Sequence, residues 1–259
     1  MKYFLVFLSL LIVSCNNNDF DLKIVNQFGG FGRTNDYTHL GDFNFQIPNN
    51  LKISVNDFAG AIKTPLYIGG ESFIIATGHG RIIKIDNDKI NWIYEIKNKS
   101  NAVSGLATDK NGNIIFAADD NSVYSISNTG KLNWTFQVSE EGDSNSIFTF
   151  SEPLTTEKSI LIATSKGFIF SLDLDGKLNW KFTSELAVSG VFSTDNKDKI
   201  FVGLSSNIFG STDSVYVLDY KGNKISAVGY QNFRILSPVV YSEGCIYFCG
   251  AVEKNAGRM

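Results

Sequence analysis

Histidine is scarce: the 259 residues contain only His39 and His79. Two imidazoles in distant segments leave little for acid–base or triad chemistry, and no Gly-x-Ser-x-Gly elbow, His-Glu-x-x-His pair or phosphate loop accompanies them. Cysteine is nearly as rare. Cys15, Cys245 and Cys249 include no adjacent pair and no Cys-x-x-Cys, so the sequence spells out no metal-ligand set. An excess of one charge is also missing, because 23 basic residues face 26 acidic ones for a net charge of −3. A nucleic-acid binder needs a basic stripe to neutralise phosphates, so nucleic acid is excluded as a partner. No apolar run approaches the roughly 20 residues that cross a bilayer as a helix. Beyond the N-terminal fifteen residues no 3.6-residue apolar period holds for three turns, which excludes a helical fold. With 43% hydrophobic and 13% aromatic residues there is still ample material for the core of one large or two ordinary domains.

The N-terminus is informative. Lys2 precedes an apolar run from Tyr3 to Val13, followed by Ser14-Cys15, the layout of a signal-peptide core. Ile12-Val13-Ser14-Cys15 resembles the bacterial lipobox, in which the cysteine is diacylated before cleavage. That resemblance implies a lipoprotein signal peptide over residues 1–14, a mature chain beginning at Cys15, and a polar tether over 15–24. Acyl chains at about 0.8 kcal/mol per buried CH₂ would hold the domain on a membrane. The absence of Asp at position 16 points by resemblance to the outer membrane, with its periplasmic or surface face left open. The other two cysteines lie in Cys245-Ile246-Tyr247-Phe248-Cys249, which reads as one core strand. On a strand they share a face about 13 Å apart and cannot bridge each other, so both are expected to be buried thiols.

An internal repeat organises the rest. Asn91-Trp92, Asn133-Trp134 and Asn179-Trp180 are 42 and 46 residues apart and hold every tryptophan of the chain. Gly130-Lys131-Leu132-Asn133-Trp134-Thr135-Phe136 and Gly176-Lys177-Leu178-Asn179-Trp180-Lys181-Phe182 are nearly identical. A copy at Asp88-Lys89-Ile90-Asn91-Trp92 lacks the glycine, and Gly222-Asn223-Lys224-Ile225-Ser226 has serine for tryptophan. Asn50 to Val55 is a degenerate earlier copy, with Ile53 in the tryptophan place. A second anchor opens each unit: Thr64-Pro65, Ser104-Gly105, Glu152-Pro153, Ser189-Gly190 and Ser237-Pro238. Three of the four prolines thereby fall at one repeat position, a strand start, where a missing N–H costs least. Within the second unit the pattern predicts strands over 105–108, 113–118, 122–127 and 132–138, separated by Asn-Gly and Thr-Gly turn signals. The expectation is an all-β protein, a β-propeller of four-stranded antiparallel blades.

The unit ending, apolar-Asp-x-x-Gly-Lys-x-x-Trp-x-aromatic and clearest in Ser171 to Phe182, resembles the pyrroloquinoline quinone (PQQ) repeat family. The resemblance covers residues 25–250, with Gln27 to Thr34 like the glycine-rich segment often seen ahead of a first blade. It implies that Trp92, Trp134 and Trp180 dock on neighbouring blades and that Gly130, Gly176 and Gly222 complete the turns that place them. The propeller is expected over 25–259, with blades starting near 64, 104, 152, 189 and 237 and the last incomplete. About four and a half blades are present where the family's rings close with seven or eight, so the sequence is expected to be a fragment. A smaller ring closed by the Leu51 strand is the alternative.

The same resemblance raises quinoprotein catalysis, in which PQQ sits between a tryptophan floor and adjacent cysteines beside Ca²⁺. This chain has no adjacent cysteines, and its tryptophans belong to the repeat. Such an enzyme would have its site in blades outside the sequence. Asp173-Leu174-Asp175-Gly176 and Asp109-Lys110-Asn111-Gly112 have the opening of a calcium loop without its closing glutamate, and read as hairpin turns. No cofactor and no metal are expected. A binding role fits better, because second-to-third-strand loops of successive blades converge on one rim. That rim carries His79, Arg81, Asp119, Asp120, Lys166 and the 205–214 insertion with Ile208 and Phe209 in a polar frame, a candidate contact patch. Ile147 and Phe148 belong to the same rim. The expected role is a non-catalytic protein-binding scaffold in the bacterial envelope, like the propeller subunit of the outer-membrane β-barrel assembly machinery. Envelope proteins or surface glycans are the expected partners, and a glycan-binding or glycan-processing lipoprotein is the runner-up.

Overall fold

A computed structural model describes residues 65–69, 72–87, 89–138, 150–188, 192–195, 197–205, 213–229, 233–235, 237–242 and 244–252. The signal peptide with Cys15, the tether, the 27–34 segment, the Leu51 strand, Ile147, Phe148, Ile208 and Phe209 lie outside these residues. Within them the regular structure is all strand apart from a single 3₁₀ turn at Lys97–Lys99.

Blade one comprises β1 (Leu66–Gly69), β2 (Ser72–Thr77), β3 (Arg81–Asp86) and β4 (Lys89–Glu95). Blade two comprises β5 (Ala107–Thr108), β6 (Ile114–Ala117), β7 (Ser122–Ile126) and β8 (Leu132–Gln137). Blade three comprises β9 (Leu154–Thr155), β10 (Ile160–Ala163), β11 (Phe168–Leu172) and β12 (Leu178–Thr183). In blade four the first strand is split into β13 (Ala187–Val188) and β14 (Ser193–Thr194), followed by β15 (Lys199–Ser205), β16 (Ser214–Asp219) and β17 (Lys224–Gly229). A fifth blade begins with β18 (Phe233–Ile235) and β19 (Val240–Ser242), which pair with β21 (Gly250–Val252) and β20 (Cys245–Tyr247) respectively. Neighbouring strands are antiparallel throughout, the arrangement of a partial β-propeller.

The middle strands are buried on both faces, which is why Ile114-Ile115-Phe116-Ala117 and Ile160-Leu161-Ile162-Ala163 read as unbroken apolar runs rather than alternations. Alternate side chains serve different neighbours. Ile114 and Phe116 pack with Ile74, Ile82 and Ile96 of blade one, while Ile115 and Ala117 pack with Ile160 and Ile162 of blade three. Leu161 and Ala163 then meet Ile200, Val202 and Leu204 of blade four. Each fully buried isoleucine or leucine contributes about 1.5–3 kcal/mol, so packing between neighbouring blades is a large part of what holds each one. First strands of successive blades touch directly: the Thr155 hydroxyl donates to the Thr108 carbonyl at 2.6 Å, and Tyr241 N–H to Ser193 Oγ at 2.8 Å. Fourth strands lie outermost, with Leu132 and Leu178 about half exposed at 49% and 48%.

First strands are interrupted at one place. In blade two the chain advances from Ala102 to Ala107 while its partner moves only from Ala118 to Ile115. Ser104 sits in this bulge, its hydroxyl accepting the Ala117 N–H at 2.8 Å and donating to the Gly105 carbonyl. Ser151 does the same with Ala163 N–H and the Glu152 carbonyl, and Ser237 with Cys249 N–H and the Pro238 carbonyl. A side-chain oxygen thus replaces a backbone acceptor where the ladder breaks.

Three expectations are corrected by this break. The Gly105–Thr108 strand shrinks to Ala107–Thr108. Pro65 and Pro153 immediately precede their strands, but Pro238 stands one residue farther from Val240, so the prolines do not share one position. Cys245 and Cys249 do not share a buried strand: β20 ends at Tyr247, Cys245 is half-buried and Cys249 is exposed. The cause is Ser237, which takes the Cys249 N–H and divides the second strand of blade five in two.

Candidate functional site

The Asn-Trp signature is a β-bulge. Trp134 stands opposite Ser125 and Leu132 opposite Ile126, leaving Asn133 unpaired in the register. Asn91 and Asn179 are skipped in the same way. Asn133 and Asn179 turn their amides to the hydroxyls of Ser125 and Ser171, and the extra residue re-aims the following tryptophan toward the next blade.

What each tryptophan meets there is a glycine of the next blade. Trp92 lies against Gly130, Trp134 against Gly176 and Trp180 against Gly222, where a Cβ would stand 2.7, 2.5 and 2.7 Å from the indole. Each indole N–H donates to a carbonyl two residues before that glycine: Asn128 at 2.8 Å, Leu174 at 2.8 Å and Tyr220 at 2.9 Å. The glycines also hold φ of +77°, +80° and +86°, which L side chains rarely adopt. The glycine of each repeat string completes the turn that leads to its own tryptophan, as where the Gly130 N–H donates to the Ser127 carbonyl at 2.9 Å ahead of Trp134, but its open face serves another indole. The glycine receives the tryptophan of the blade before. Blade one has Asn87 at φ +49° in its shorter turn instead, and blade four offers Ser226 instead of tryptophan.

Clamped this way, the blades present two rims. One holds the first-to-second and third-to-fourth turns. Asp109, Asp173, Asp195 and Asp219 accept backbone N–H groups there: Asp109 those of Asn111 and Asn113, and Asp219 those of Lys221 and Asn223. For Asp219, bonds from the Asn223 amide and backbone hold the carboxyl below its usual range. Burial raises Asp195, but N–H groups of Lys199, Lys197 and Asp198 outweigh it and the net shift is downward.

The opposite rim carries the second-to-third-strand loops. His79 is exposed in the turn between β2 and β3, and Arg81 Nε lies 3.2 Å from Glu95 Oε1. Asp119 accepts the backbone and side-chain N–H groups of Asn101, tying this loop to the connection from blade one. Asp120 accepts the Ser122 N–H and, at 2.5 Å, the Tyr124 hydroxyl. Burial and that hydrogen bond push the Tyr124 phenol well above its ordinary range, and burial with the Asp120 charge raises Tyr94. Lys166 is exposed between β10 and β11. The structure thus places His79, Arg81, Asp119, Asp120 and Lys166 on one rim but in three separate blades, with Asp119 tied to Asn101 of the preceding connection and Asp120 engaged within its own hairpin.

The described residues do not make a seat for PQQ with its calcium ion. All three indoles are occupied between blades, the turn aspartates are filled by N–H donors, and among the described residues no three His, Cys, Asp or Glu side chains are placed to hold a metal.

Solved structures of similar shape include quinohemoprotein alcohol dehydrogenase from Comamonas testosteroni, with a TM-score of 0.59 and 14% identity over 74% of this chain and 39% of that one. A europium-containing methanol dehydrogenase gives 0.55 and 16%, covering 75% of this chain and 49% of that one. BamB from Moraxella catarrhalis aligns with a TM-score of 0.39 and 13% identity, over 73% of this chain and 81% of that one. The chain thus spans less than half the length of either dehydrogenase, and at these identities the likeness is one of fold. Comparison with curated proteins finds no match. The family model described as outer membrane protein assembly factor BamB matches residues 52–234, and the chain belongs to that family of PQQ-like repeat proteins.

Proposed function

We propose that the protein is a non-catalytic, protein-binding scaffold of the bacterial envelope, held at the outer membrane by acyl chains on Cys15 and offering its loop rim to partner proteins. The observation that supports this reading is the thrice-repeated tryptophan–glycine clasp, which fixes successive blades rigidly and lines their loops along one rim. Loops held by a rigid frame suit recognition, because little ordering entropy is lost on binding. Membership of the assembly-factor family supports an envelope setting and protein partners.

The test is double replacement of Ile208 and Phe209 by Asp. The expected outcome is loss of partner co-purification from solubilised membranes with an unchanged unfolding temperature. Unchanged co-purification would remove that loop from the proposal.

A further inference from the structure

The outer end of each blade-to-blade seam is closed by the fourth strand of the preceding blade. Trp92 and Tyr94 of β4 pack on the core between blades one and two, Trp134 and Phe136 of β8 on that between blades two and three, and Trp180 and Phe182 of β12 on that between blades three and four. Blade four keeps the same backbone. Ser226 stands opposite Val217 and Lys224 opposite Leu218, so Ile225 is skipped in the register as Asn133 and Asn179 are. The side chains in the places of the tryptophan and the following aromatic residue are Ser226 and Val228. Among the described residues, none of β17 joins the core between blades four and five. All six residues of that strand are exposed, Ile225 at 52% and Val228 at 42%.

The knob of the clasp belongs to the preceding blade, so the clasp is missing here whatever blade five presents to it. What holds this seam lies nearer the first strands. The Ile235 N–H donates to the buried Asp213 carboxylate at 2.8 Å, the Tyr241 N–H donates to Ser193 Oγ, and the Phe201 and Tyr241 rings stack with centroids 5.1 Å apart and 7° between their planes. Behind them Phe201, Val215 and Val217 of blade four meet Ile235 and Val239 of blade five. Blades two and three share an inner bond of the same kind, from Thr155 to Thr108, and have the indole clasp as well. Two units held by fewer contacts part at a lower cost than the whole chain unfolds.

We propose that the seam between blades four and five is the joint at which the propeller opens: blade five parts from blade four, while blades one to four stay clasped as one body. Opening bares Phe201, Val215 and Val217 on one side of the joint and Ile235 and Val239 on the other. The joint is a property of the fold and stands whether or not the loop rim binds a protein.

The test is thiol labelling of cysteine variants of the full chain under native conditions, resolved by peptide mass spectrometry, with the exposed Cys249 as the fully reactive reference. Val123 and Val215 are both buried and hold the same register place in their blades, opposite Phe136 and Val228 respectively. Iodoacetamide should modify Val215→Cys at least about tenfold faster than Val123→Cys, since a hydrogen-bonded indole and an aromatic ring hold the seam between blades two and three shut. Val239→Cys, on the blade-five side of the joint, should react as fast as Val215→Cys. Low concentrations of urea should accelerate Val123→Cys and leave Val215→Cys nearly unchanged, because parting one seam exposes little surface. Equal, urea-dependent labelling of all three would overturn the proposal, for the chain would then open only by unfolding as a whole. Protection of Val239→Cys beside a reactive Val215→Cys would overturn it too, by reducing the opening to a fraying of β17. Where a valine variant folds poorly, Ser125→Cys and Val217→Cys, opposite Trp134 and Ser226, carry the same comparison.

Discussion

Trp134 and Gly176 occupy a space that has room for a hydrogen but not a methyl group: a Cβ on Gly176 would lie 2.5 Å from Cδ2 of the indole. Forty residues separate the indole N–H from its acceptor, the Leu174 carbonyl, so the contact joins two blades and not two turns of one. The same relationship recurs at Trp92 with Gly130 and at Trp180 with Gly222.

Replacement of Gly176 by Ala should therefore cost more than its backbone conformation alone. Gly112, at φ +75° with nothing within 4 Å of the place a Cβ would take, is the natural control against Gly176 at φ +80°. Gly112→Ala is expected to lose about 1 kcal/mol through strain, and Gly176→Ala a further 1–3 kcal/mol or so through overpacking. Urea unfolding of the two variants measures the difference. Equal losses would mean that the indole moves aside without cost.

Ser104 offers a different check. It is 1% exposed, and its hydroxyl is the acceptor for the Ala117 N–H in the broken ladder. Ser104→Ala leaves that buried donor unpaired and should destabilise by about 1–3 kcal/mol. Ser127, whose hydroxyl serves a partly exposed turn at Lys131 N–H, should tolerate the same change within about 1 kcal/mol. A comparable loss in both variants would remove the special role of the bulge serine.

Acid stability follows from Asp219. Its folded pKa lies below the ordinary 3.8, so the unfolded chain binds more protons in the interval between the two values. The resulting stabilisation is complete above pH 3.8 and disappears as pH falls through the lowered folded value. Asp219→Asn keeps a side-chain oxygen for the turn but cannot titrate. Its urea midpoint should fall less steeply than wild type between pH 5 and pH 2, and a parallel decline would contradict the assignment.

Much of this fold can be read from the sequence, for local reasons. The Asn111-Gly112 and Thr129-Gly130 signals bound strands that lie within a residue or two of their expected ends at β6, β7 and β8, because a hairpin turn is decided by adjacent residues. The PQQ-repeat character is also legible, through the tryptophan spacing. What escapes is non-local or depends on a side chain acting as backbone. Nothing in Gly176-Lys177-Leu178-Asn179-Trp180 says that its glycine belongs to Trp134. Ser104, Ser151 and Ser237 carry a findable signal, since each stands three residues before its short strand, but their anchoring pairs suggest alignment on proline or glycine instead. The rim loops are legible as loops. The ties from Asp119 to Asn101 and from Asp120 to Tyr124 are not, because no pattern in a single sequence marks which loop carboxylates face inward.

The scaffold reading is tested most directly by a photo-crosslinking amino acid placed in living cells at two exposed lysines of blade three. Lys166 lies on the second-to-third-strand rim and Lys177 on the opposite one, at the two ends of β11. The account predicts discrete adducts with envelope proteins from position 166 and none from position 177. Adducts of equal yield from both positions, or none from either, would contradict it.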